Sequence, residues 1–335
     1  MKLDANLLGP LDGVAERAAQ MEALGYDGLI TAEINHDPFF PLLLAAQTTE
    51  RVDLMTGISV AFARNPMLLA NIGWDLQEFS AGRFVLGLGS QIKPHITKRF
   101  SMPWSHPAAR MQEIIEAIRA IWDCWDTGEP LGFRGEFYRH TLMTPMFSPG
   151  PNPFGNPRIA LAAVGPLMTR VAGRVADCFI AHAFQTADYL RDVTLPALSE
   201  GLAESGRDRS DIEVSCPLFV VSGLTEAETA ERKTSSKQQI AFYGSTPAYK
   251  GVFDHHGWGD AQPELNRLSK QGKWVEMADV IDDTMLDHFA VVGEPHELAG
   301  KIKSRFGGLV DRIQFSIPSD SPDIWGPVAT SIREI

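Results

Sequence analysis

Residues 55–91 read MTGISVAFARNPMLLANIGWDLQEFSAGRFVLGLGSQ, and this stretch decides the fold. An apolar run that ends at Val60 precedes a helical segment, residues 66–79, and a second apolar run follows at residues 83–88. Strand, helix and strand at this length form a βαβ unit, which requires a parallel sheet with covered faces. Ligands of such folds bind where the strands end, and small residues there, such as Gly89, let a flat ligand approach the backbone.

The composition is that of an ordinary globular chain, and it argues against some functions. The 335 residues are 44% hydrophobic and 21% charged, with a formal net charge of -12. A general binder of nucleic acid or anionic membranes is not expected, because such affinity comes from basic patches. Three scattered cysteines lack metal-binding spacing, and no apolar run reaches transmembrane length. We therefore expect a cytoplasmic chain with reduced cysteines.

Apolar runs and turn signals predict eight strands, at residues 2–8, 26–31, 54–60, 83–88, 158–163, 177–181, 212–221 and 312–317. Each strand is followed by a helix, as a closed (β/α)8 TIM barrel requires. An open doubly wound sheet is the alternative, but no G-x-G-x-x-G follows the first strand. We expect a single domain over residues 1–335, with an insertion at residues 244–292 between the seventh strand's helix and the eighth strand. Its aromatic residues favour an ordered segment that forms a lid or faces the substrate.

The loop after the second predicted strand, which contains Glu33, Asn35, His36 and Asp37, lies on the catalytic face of a barrel. An imidazole can donate or accept a proton near neutral pH, so His36 is a candidate to exchange one above a bound ring. Asp37 is expected to cap the helix that starts beside it.

Two further strand ends can hold a ligand. Residues 57–64 pass through small residues and can place a peptide against a ligand, although an ordinary strand end is the alternative. At residues 162–169, AAVGPLMT, a strand turns through Gly165 into a helix. The first N–H groups of that helix are unsatisfied and partly positive, so a phosphate can bind there without any lysine. A close-packed βα turn is the alternative.

Residues 243–258 of the insertion are rich in aromatic side chains and suggest a pocket wall or lid, with plain packing as the alternative. His255 and His256 are adjacent, but neighbouring side chains rarely point at one ion, and no partner has H-E-x-x-H spacing. We therefore expect no metal site. The sequence contains neither G-x-S-x-G nor a P-loop pattern, so hydrolase and nucleotide-triphosphatase chemistry have little support.

The whole chain resembles the bacterial luciferase-like flavin and deazaflavin oxidoreductases. The motifs that carry the resemblance occur in family order: HDPF (36–39), TGISVAFARNP (56–66), SAGRFVLGLGSQ (80–91), AAVGPLMTRVAGRVAD (162–177) and VGEPHELA (292–299). Within that family, the chain is most similar to the branch that uses the 8-hydroxy-5-deazaflavin coenzyme F420. The resemblance implies a (β/α)8 barrel with an insertion near the seventh strand, and a homodimer.

The resemblance also implies roles for residues at matching positions. His36 matches a histidine near the reactive ring carbon, and Asn35 occupies a position often held by Asp. Ser59-Val60 matches a non-prolyl cis bond that forms a bulge behind the ring. The other matches concern coenzyme contacts: Ala61 and Ala63 flank the bulge, Gly89, Ser90 and Gln91 line the ring and ribityl chain, and Val164, Gly165, Leu167 and Met168 hold the phosphate.

The implied activity is hydride transfer between F420 and a small organic substrate. The candidate substrate contacts come from the segment at residues 92–104 and from the insertion: Trp104, Tyr249, Phe253 and Trp258. An FMN-dependent two-component monooxygenase on the same fold is the first alternative. A non-catalytic flavin-binding relative is the second.

Overall fold

The computed structural model describes residues 1–315 and 321–335, and strands and helices alternate along the chain. The strands are β1 (Lys2–Asn6), β2 (Gly28–Thr31), β3 (Asp53–Thr56), β4 (Ser59–Val60), β5 (Phe84–Gly89), β6 (Phe133–Arg134), β7 (Arg139–His140), β8 (Arg158–Ala162), β9 (Cys178–Ile180), β10 (Glu213–Pro217), β11 (Phe219–Val221), β12 (Ala290–Val292) and β13 (Arg312–Gln314). Eight of them, β1, β2, β3, β5, β8, β9, β10 and β13, are parallel neighbours in a closed ring, because β3 also pairs with β5. This ring confirms the predicted TIM barrel.

Helices surround the barrel and fill the insertion. They are α1 (Val14–Ala23), α2 (Phe39–Thr48), α3 (Pro66–Phe79), α4 (Pro107–Thr127), α5 (Pro166–Val175), α6 (Ala187–Tyr189), α7 (Leu195–Glu204), α8 (Glu226–Gly244), α9 (Lys250–His255), α10 (Ala261–Lys270), α11 (Trp274–Ala278), α12 (Asp283–Phe289), α13 (Leu298–Phe306) and α14 (Pro322–Arg333). Their apolar faces pack on the strands, and a smaller apolar cluster fills the barrel itself: Ile30, Met55, Val85, Ala160, Cys178 and Ile180.

The insertion has a hydrophobic core of its own. Phe253 and Leu265 are fully buried in this core, and β11 pairs with β12 as a separate parallel sheet. Helix α8 packs on α10 and α11, because the residues that it buries, such as Ile240, lie near its carboxyl end. The insertion therefore runs from β11 to β12 and includes α8. The expected start at residue 244 lies too late in the chain.

Charged side chains close the amino-terminal end of the barrel. Arg312 makes two 2.8 Å contacts with Asp4, one from Nε and one from Nη2, and its Nη1 lies 2.7 Å from Asp53 and 3.0 Å from Glu213. The side chains of Arg312 and Asp4 are only 2% and 0% exposed. Burial raises the pKa of Asp4 despite the neighbouring guanidinium. The cluster lies at the end of the barrel opposite the predicted site.

Two predicted strands are divided in the structure. Predicted strand 54–60 becomes β3 and β4, and predicted strand 212–221 becomes β10 of the barrel and β11 of the insertion. Predicted strand 312–317 is β13, and Ser316 and Ile317 lie outside the described residues.

The three cysteines lie in the interior of the protein. All three cysteines are free and buried, and burial raises the pKa of Cys178 and Cys216 to about 12, so both stay as thiols. Among the described residues, no helix has both the length and the apolar character needed to cross a bilayer.

Candidate functional site

The carboxyl ends of neighbouring barrel strands bring most of the predicted site residues together. Strand β2 pairs with β3, β3 with β5, β5 with β8, and β8 with β9. Because neighbouring strands lie about 4.8 Å apart, the segments that follow them form one continuous arc of the barrel rim. Segments 33–37, 57–63, 89–91 and 164–168 therefore lie side by side on the face where barrel enzymes bind ligands.

An ion-pair network holds the loop after β2 against the loop after β3. Arg64 pairs with Glu33 and, at 3.0 Å, with Asp37. Glu33 Oε2 also accepts a hydrogen bond from Val60 N–H at 2.7 Å. The Arg64 and Glu33 side chains are 16% and 9% exposed, and charge-assisted contacts are strong in such surroundings. This Arg64 network fixes both ends of the loop that carries His36.

His36 and Asn35 lie at the exposed apex of that loop. The preceding carbonyl, that of Ile34, accepts a hydrogen bond from Arg99 of the segment after β5. Two neighbouring loops thus hold the apex, and the imidazole of His36 stays open to the rim.

Asp37 has the capping role that the sequence predicts. Its Oδ1 accepts a hydrogen bond from Phe39 N–H at 2.9 Å, at the first residue of α2. Its other oxygen joins the Arg64 network.

The non-prolyl cis peptide joins Gly57 and Ile58, so its predicted position at Ser59-Val60 is wrong. Ser59 and Val60 form β4, which pairs in parallel with the end of β5, and this pairing occupies both residues. Gly57 and Ile58 are half-buried, and the Ile58 carbonyl accepts a hydrogen bond from Glu33 N–H at 3.1 Å. The residues of this loop that remain accessible at the rim are therefore Gly57 and Ile58, which precede the predicted pair Ser59-Val60.

The side chains after the cis peptide differ in access. Ser59, Val60 and Ala61 are fully buried, so their side chains do not line an open surface, whereas Ala63 is half-buried. The Ser59 hydroxyl has no hydrogen-bond partner among the described residues. A water or a ligand commonly completes such a buried group.

The segment after β5 is shaped by close packing. A Cβ on Gly89 would lie 2.8 Å from Cδ1 of Ile58, so a larger residue would require the Ile58 side chain to shift. Gln91 has a left-handed backbone with φ of 57°, and the Ser90 hydroxyl donates to the Gln91 carbonyl at 3.1 Å. Ser90 and Gln91 are half-buried and directly follow β5, whose end pairs with β4. The arrangement gives a tight turn with little side-chain bulk.

The start of α5 is open and has no side-chain cap. Gly165 precedes Pro166 as the N-cap, and among the described residues no side chain accepts a hydrogen bond from the N–H groups of the first turn. A Cβ on Gly165 would meet no atom within 4 Å from the part of the chain that the structure describes, its two chain neighbours apart. Leu167 is exposed, and Val164 and Met168 are half-buried. The helix thus presents unsatisfied N–H groups and the positive end of its dipole, which suits an anion.

A histidine and a tyrosine meet after β9. His182 Nδ1 accepts a hydrogen bond from Phe184 N–H at 3.0 Å, and His182 Nε2 lies 3.2 Å from the hydroxyl of Tyr249. The proton of a neutral imidazole is then on Nε2 and is donated to Tyr249, which leaves the phenolic hydrogen free for another acceptor. Burial lowers the pKa of His182 to about 4 and raises that of Tyr249 to about 12. Both groups are therefore neutral at ordinary pH.

The four candidate substrate contacts lie in different surroundings. Tyr249 lies beside His182, which follows the barrel strand β9. Trp104 is half-buried and packs edge-on against Phe62, with ring centroids 5.5 Å apart. Phe253 is 0% exposed in the insertion core, so a substrate cannot reach it and that prediction is wrong. Trp258 stacks on His256 at 4.5 Å, within the insertion.

Sequence reasoning missed His182 and the Arg64 network. His182 directly follows the predicted strand at residues 177–181. A polar residue at such a place is the signal that identifies it, because the strand fixes its position on the rim. Arg64 does not directly follow a barrel strand, so its network has no such signal.

The chain also matches known proteins. The profile of a family described as luciferase-like monooxygenase matches residues 3–312. The chain is 55% identical over 313 residues to an uncharacterised Mycobacterium tuberculosis protein, with 93% of this chain and 92% of that protein covered. It is 26% identical over 275 residues to the 5,10-methylenetetrahydromethanopterin reductase of Archaeoglobus fulgidus, with coverages of 80% and 77%.

The barrel is shared with a solved structure. The coenzyme F420-dependent tetrahydromethanopterin reductase of Methanopyrus kandleri superposes with a TM-score of 0.81, at 19% identity, and covers 100% of this chain and 98% of that chain. At this identity, the superposition shows that the two chains have the same fold.

Proposed function

The chain belongs to the luciferase-like monooxygenase family, and from this membership we propose that it is a coenzyme F420-dependent oxidoreductase that acts on a small organic substrate. The observation that carries the proposal is the uncapped, open start of α5, on the same rim as His36 and the Gly57–Ile58 peptide. The names of the Archaeoglobus and Methanopyrus relatives, both reductases, support it.

The residues present fit this coenzyme. Gly165 leaves open space at the helix start, and the N–H groups of Leu167 and Met168 would bind the phosphate without a cation. Ile58 and Gly89 pack closely beside the turn and would support one face of the ring. When bound, the deazaflavin would supply a ring carbon that gives or accepts a hydride.

Side chains at the rim would transfer the proton, position the loops and contact the substrate. A ring nitrogen of His36 would hold or release the proton that accompanies the hydride. Arg64 would act as a positioning residue, because its network fixes the loop of His36. Tyr249, oriented by His182, would donate its phenolic hydrogen to an oxygen of the substrate. Trp104 would border the substrate from the segment after β5.

A titration of the purified chain with oxidised F420 and, separately, with FMN tests the proposal. We expect saturable quenching of the coenzyme fluorescence by F420, with one site per chain and low-micromolar affinity. We also expect binding of FMN at least tenfold weaker, since the proposal assigns the site to the deazaflavin. Tight binding of FMN without F420 binding would favour the two-component monooxygenase and overturn the proposal.

A screen for turnover then identifies the substrate class. Oxidised F420 is mixed with alcohols and sugars, and reduced F420 with carbonyl compounds and activated alkenes, while the visible absorbance of the coenzyme is followed. Binding of F420 without any turnover across the panel would favour a non-catalytic relative. We include a homodimer in the proposal, and light scattering at assay concentration measures it.

A further inference from the structure

Three potential metal ligands from separate elements lie together at the edge of the insertion. Asp188 is in α6, His256 follows α9, and His288 is in the last turn of α12. Their ligand atoms all lie within 4.8 Å of one another. His288 Nδ1 is 3.7 Å from Asp188 Oδ2, and the His256 and His288 ring centroids are 4.7 Å apart. The fold, not the sequence spacing, brings these groups together.

The neighbouring histidine points elsewhere. The rings of His255 and His256 are almost perpendicular, at 89°. His255 Nε2 lies 3.3 Å from a carboxylate oxygen of Asp192. His255 therefore faces Asp192, whereas His256 meets its potential partners, Asp188 and His288, from other helices.

A hydrogen bond to one ring nitrogen fixes the orientation of His256, as is common for metal-binding histidines. Its Nε2 lies 2.8 Å from the buried hydroxyl of Thr186, which also accepts a hydrogen bond from Tyr189 N–H at 3.1 Å. A hydroxyl oxygen can accept two such bonds, so Nε2–H can donate to it and leave Nδ1 for an ion. A hydrogen bond of this kind fixes the tautomer and orientation of a ligating imidazole. Trp258 stacks on the His256 ring, with centroids 4.5 Å apart, and its ring lies edge-on to that of His288.

Asp188 also keeps one oxygen for the cluster. Its Oδ1 accepts a hydrogen bond from Arg191 at 2.8 Å, whereas Oδ2 is the oxygen that faces His288. The guanidinium orients the carboxylate and offsets part of its charge, so we expect moderate rather than very tight affinity.

We propose that Asp188, His256 and His288 bind one divalent first-row transition-metal ion of the Zn²⁺ type, with water as the fourth ligand. Two imidazoles and one carboxylate suit Zn²⁺, which prefers four ligands, whereas Ca²⁺ and Mg²⁺ prefer oxygen ligands throughout. Tetrahedral Zn²⁺ ligands lie about 3.4 Å apart, given bonds of about 2.1 Å. The half-buried side chains must therefore move inward by about 1 Å.

The ion would join the insertion to the barrel. Asp188 lies in the segment after β9 that also contains His182, and α9 connects Tyr249 to His256. Binding would restrain α9 between the rim and the ion, and so restrain Tyr249 next to His182. This inference concerns the insertion and does not depend on which coenzyme the rim binds.

Titration of the untagged, full-length chain with Co²⁺ and Zn²⁺, after removal of metal by a chelator, tests the proposal. We expect one equivalent of Co²⁺ to give the visible spectrum of a four-coordinate ion, Zn²⁺ to displace it, and Zn²⁺ to raise the melting temperature. Asp188→Asn and His288→Gln should each weaken binding by more than about 100-fold, since loss of an outer-shell partner alone costs about 10- to 100-fold. His255→Gln is the matched control and should bind normally.

Several results would overturn the assignment. They are the absence of saturable binding by the native chain, a six-coordinate Co²⁺ spectrum, retention of binding in folded His288→Gln, and equal loss in His255→Gln. Circular dichroism of the metal-free variants establishes that they are folded. If a variant does not fold, the stoichiometry and spectrum of the native chain decide the question.

Discussion

The start of α5 permits a substitution that adds charge without steric conflict. Gly165 has φ of -92° and ψ of 157°, an extended backbone that any residue adopts. A Cβ there would meet no atom of residues 1–315 or 321–335 within 4 Å, its two chain neighbours apart. In Gly165→Asp the new carboxylate can accept hydrogen bonds from the N–H groups of the first turn. It would therefore occupy the groups that we assign to the coenzyme phosphate.

The size of the effect follows from these hydrogen bonds. A hydrogen bond to a charged group contributes about 1.5–3 kcal/mol, so the loss of a single one lowers affinity by about 10- to 150-fold. Repulsion between carboxylate and phosphate adds to this loss. The stability of the free protein should stay the same or rise by a few tenths of a kcal/mol, because an acidic N-cap suits the helix dipole (~0.3 kcal/mol).

Fluorescence titration with F420, together with thermal melting of the free protein, measures both effects. Gly165→Asn matches the volume of Asp without the charge, and Gly165→Ala adds only a methyl group. We expect the greatest loss of affinity for Asp, a smaller one for Asn and almost none for Ala. Native affinity in Gly165→Asp, or equal losses in Asp and Asn, would refute the assignment of the anion to this helix.

Three further predictions concern other parts of the chain. Arg312→Met leaves the buried Asp4 carboxylate unpaired, so the urea unfolding free energy should fall by about 3–5 kcal/mol. Because the pKa of Asp4 is already raised, protonation of its carboxyl should make this loss of unfolding free energy smaller as the pH falls. A loss that does not depend on pH would contradict the assignment of the effect to the Asp4 charge. His36→Ala should lower turnover, measured by stopped flow, by about 100- to 10,000-fold with F420 affinity nearly unchanged; native turnover would exclude His36 from the reaction. The pKa of His182 is about 4 in the folded chain against an ordinary 6.5. As the pH falls, the unfolded chain therefore takes up the proton at a higher pH than the folded chain does. The unfolding free energy should then fall between pH 6.5 and pH 4, by at most about 3 kcal/mol. His182→Phe should lack this part of the pH dependence, and identical profiles for the two proteins would contradict it.

Local signals predicted α3 to the residue. The structure places it at Pro66–Phe79, as expected, with a proline at the first helical position. Asn65 caps this helix, because its side chain accepts a hydrogen bond from Met67 N–H at 2.9 Å. Such signals act through neighbouring residues, so a single sequence contains them.

The features that sequence reasoning missed depend on distant partners. His182 acquires its role from Tyr249, 67 residues later, and Phe253 is unavailable to a substrate because it packs within the core of the insertion. The Arg64 network joins residues from two loops. Periodicity and spacing describe one element at a time, so they could indicate the rim without indicating which side chains meet there.

The most direct test of the account compares F420 with its phosphate-free ribityl deazaflavin core, on the native chain and on Gly165→Asp. If the phosphate binds at α5 while the ring lies beside Ile58, the core should bind the native chain at least about tenfold more weakly than F420 does. Gly165→Asp should then weaken F420 and leave the affinity of the core unchanged. Equal affinities of the native chain for the two ligands, or equal weakening of both by Gly165→Asp, would contradict the account.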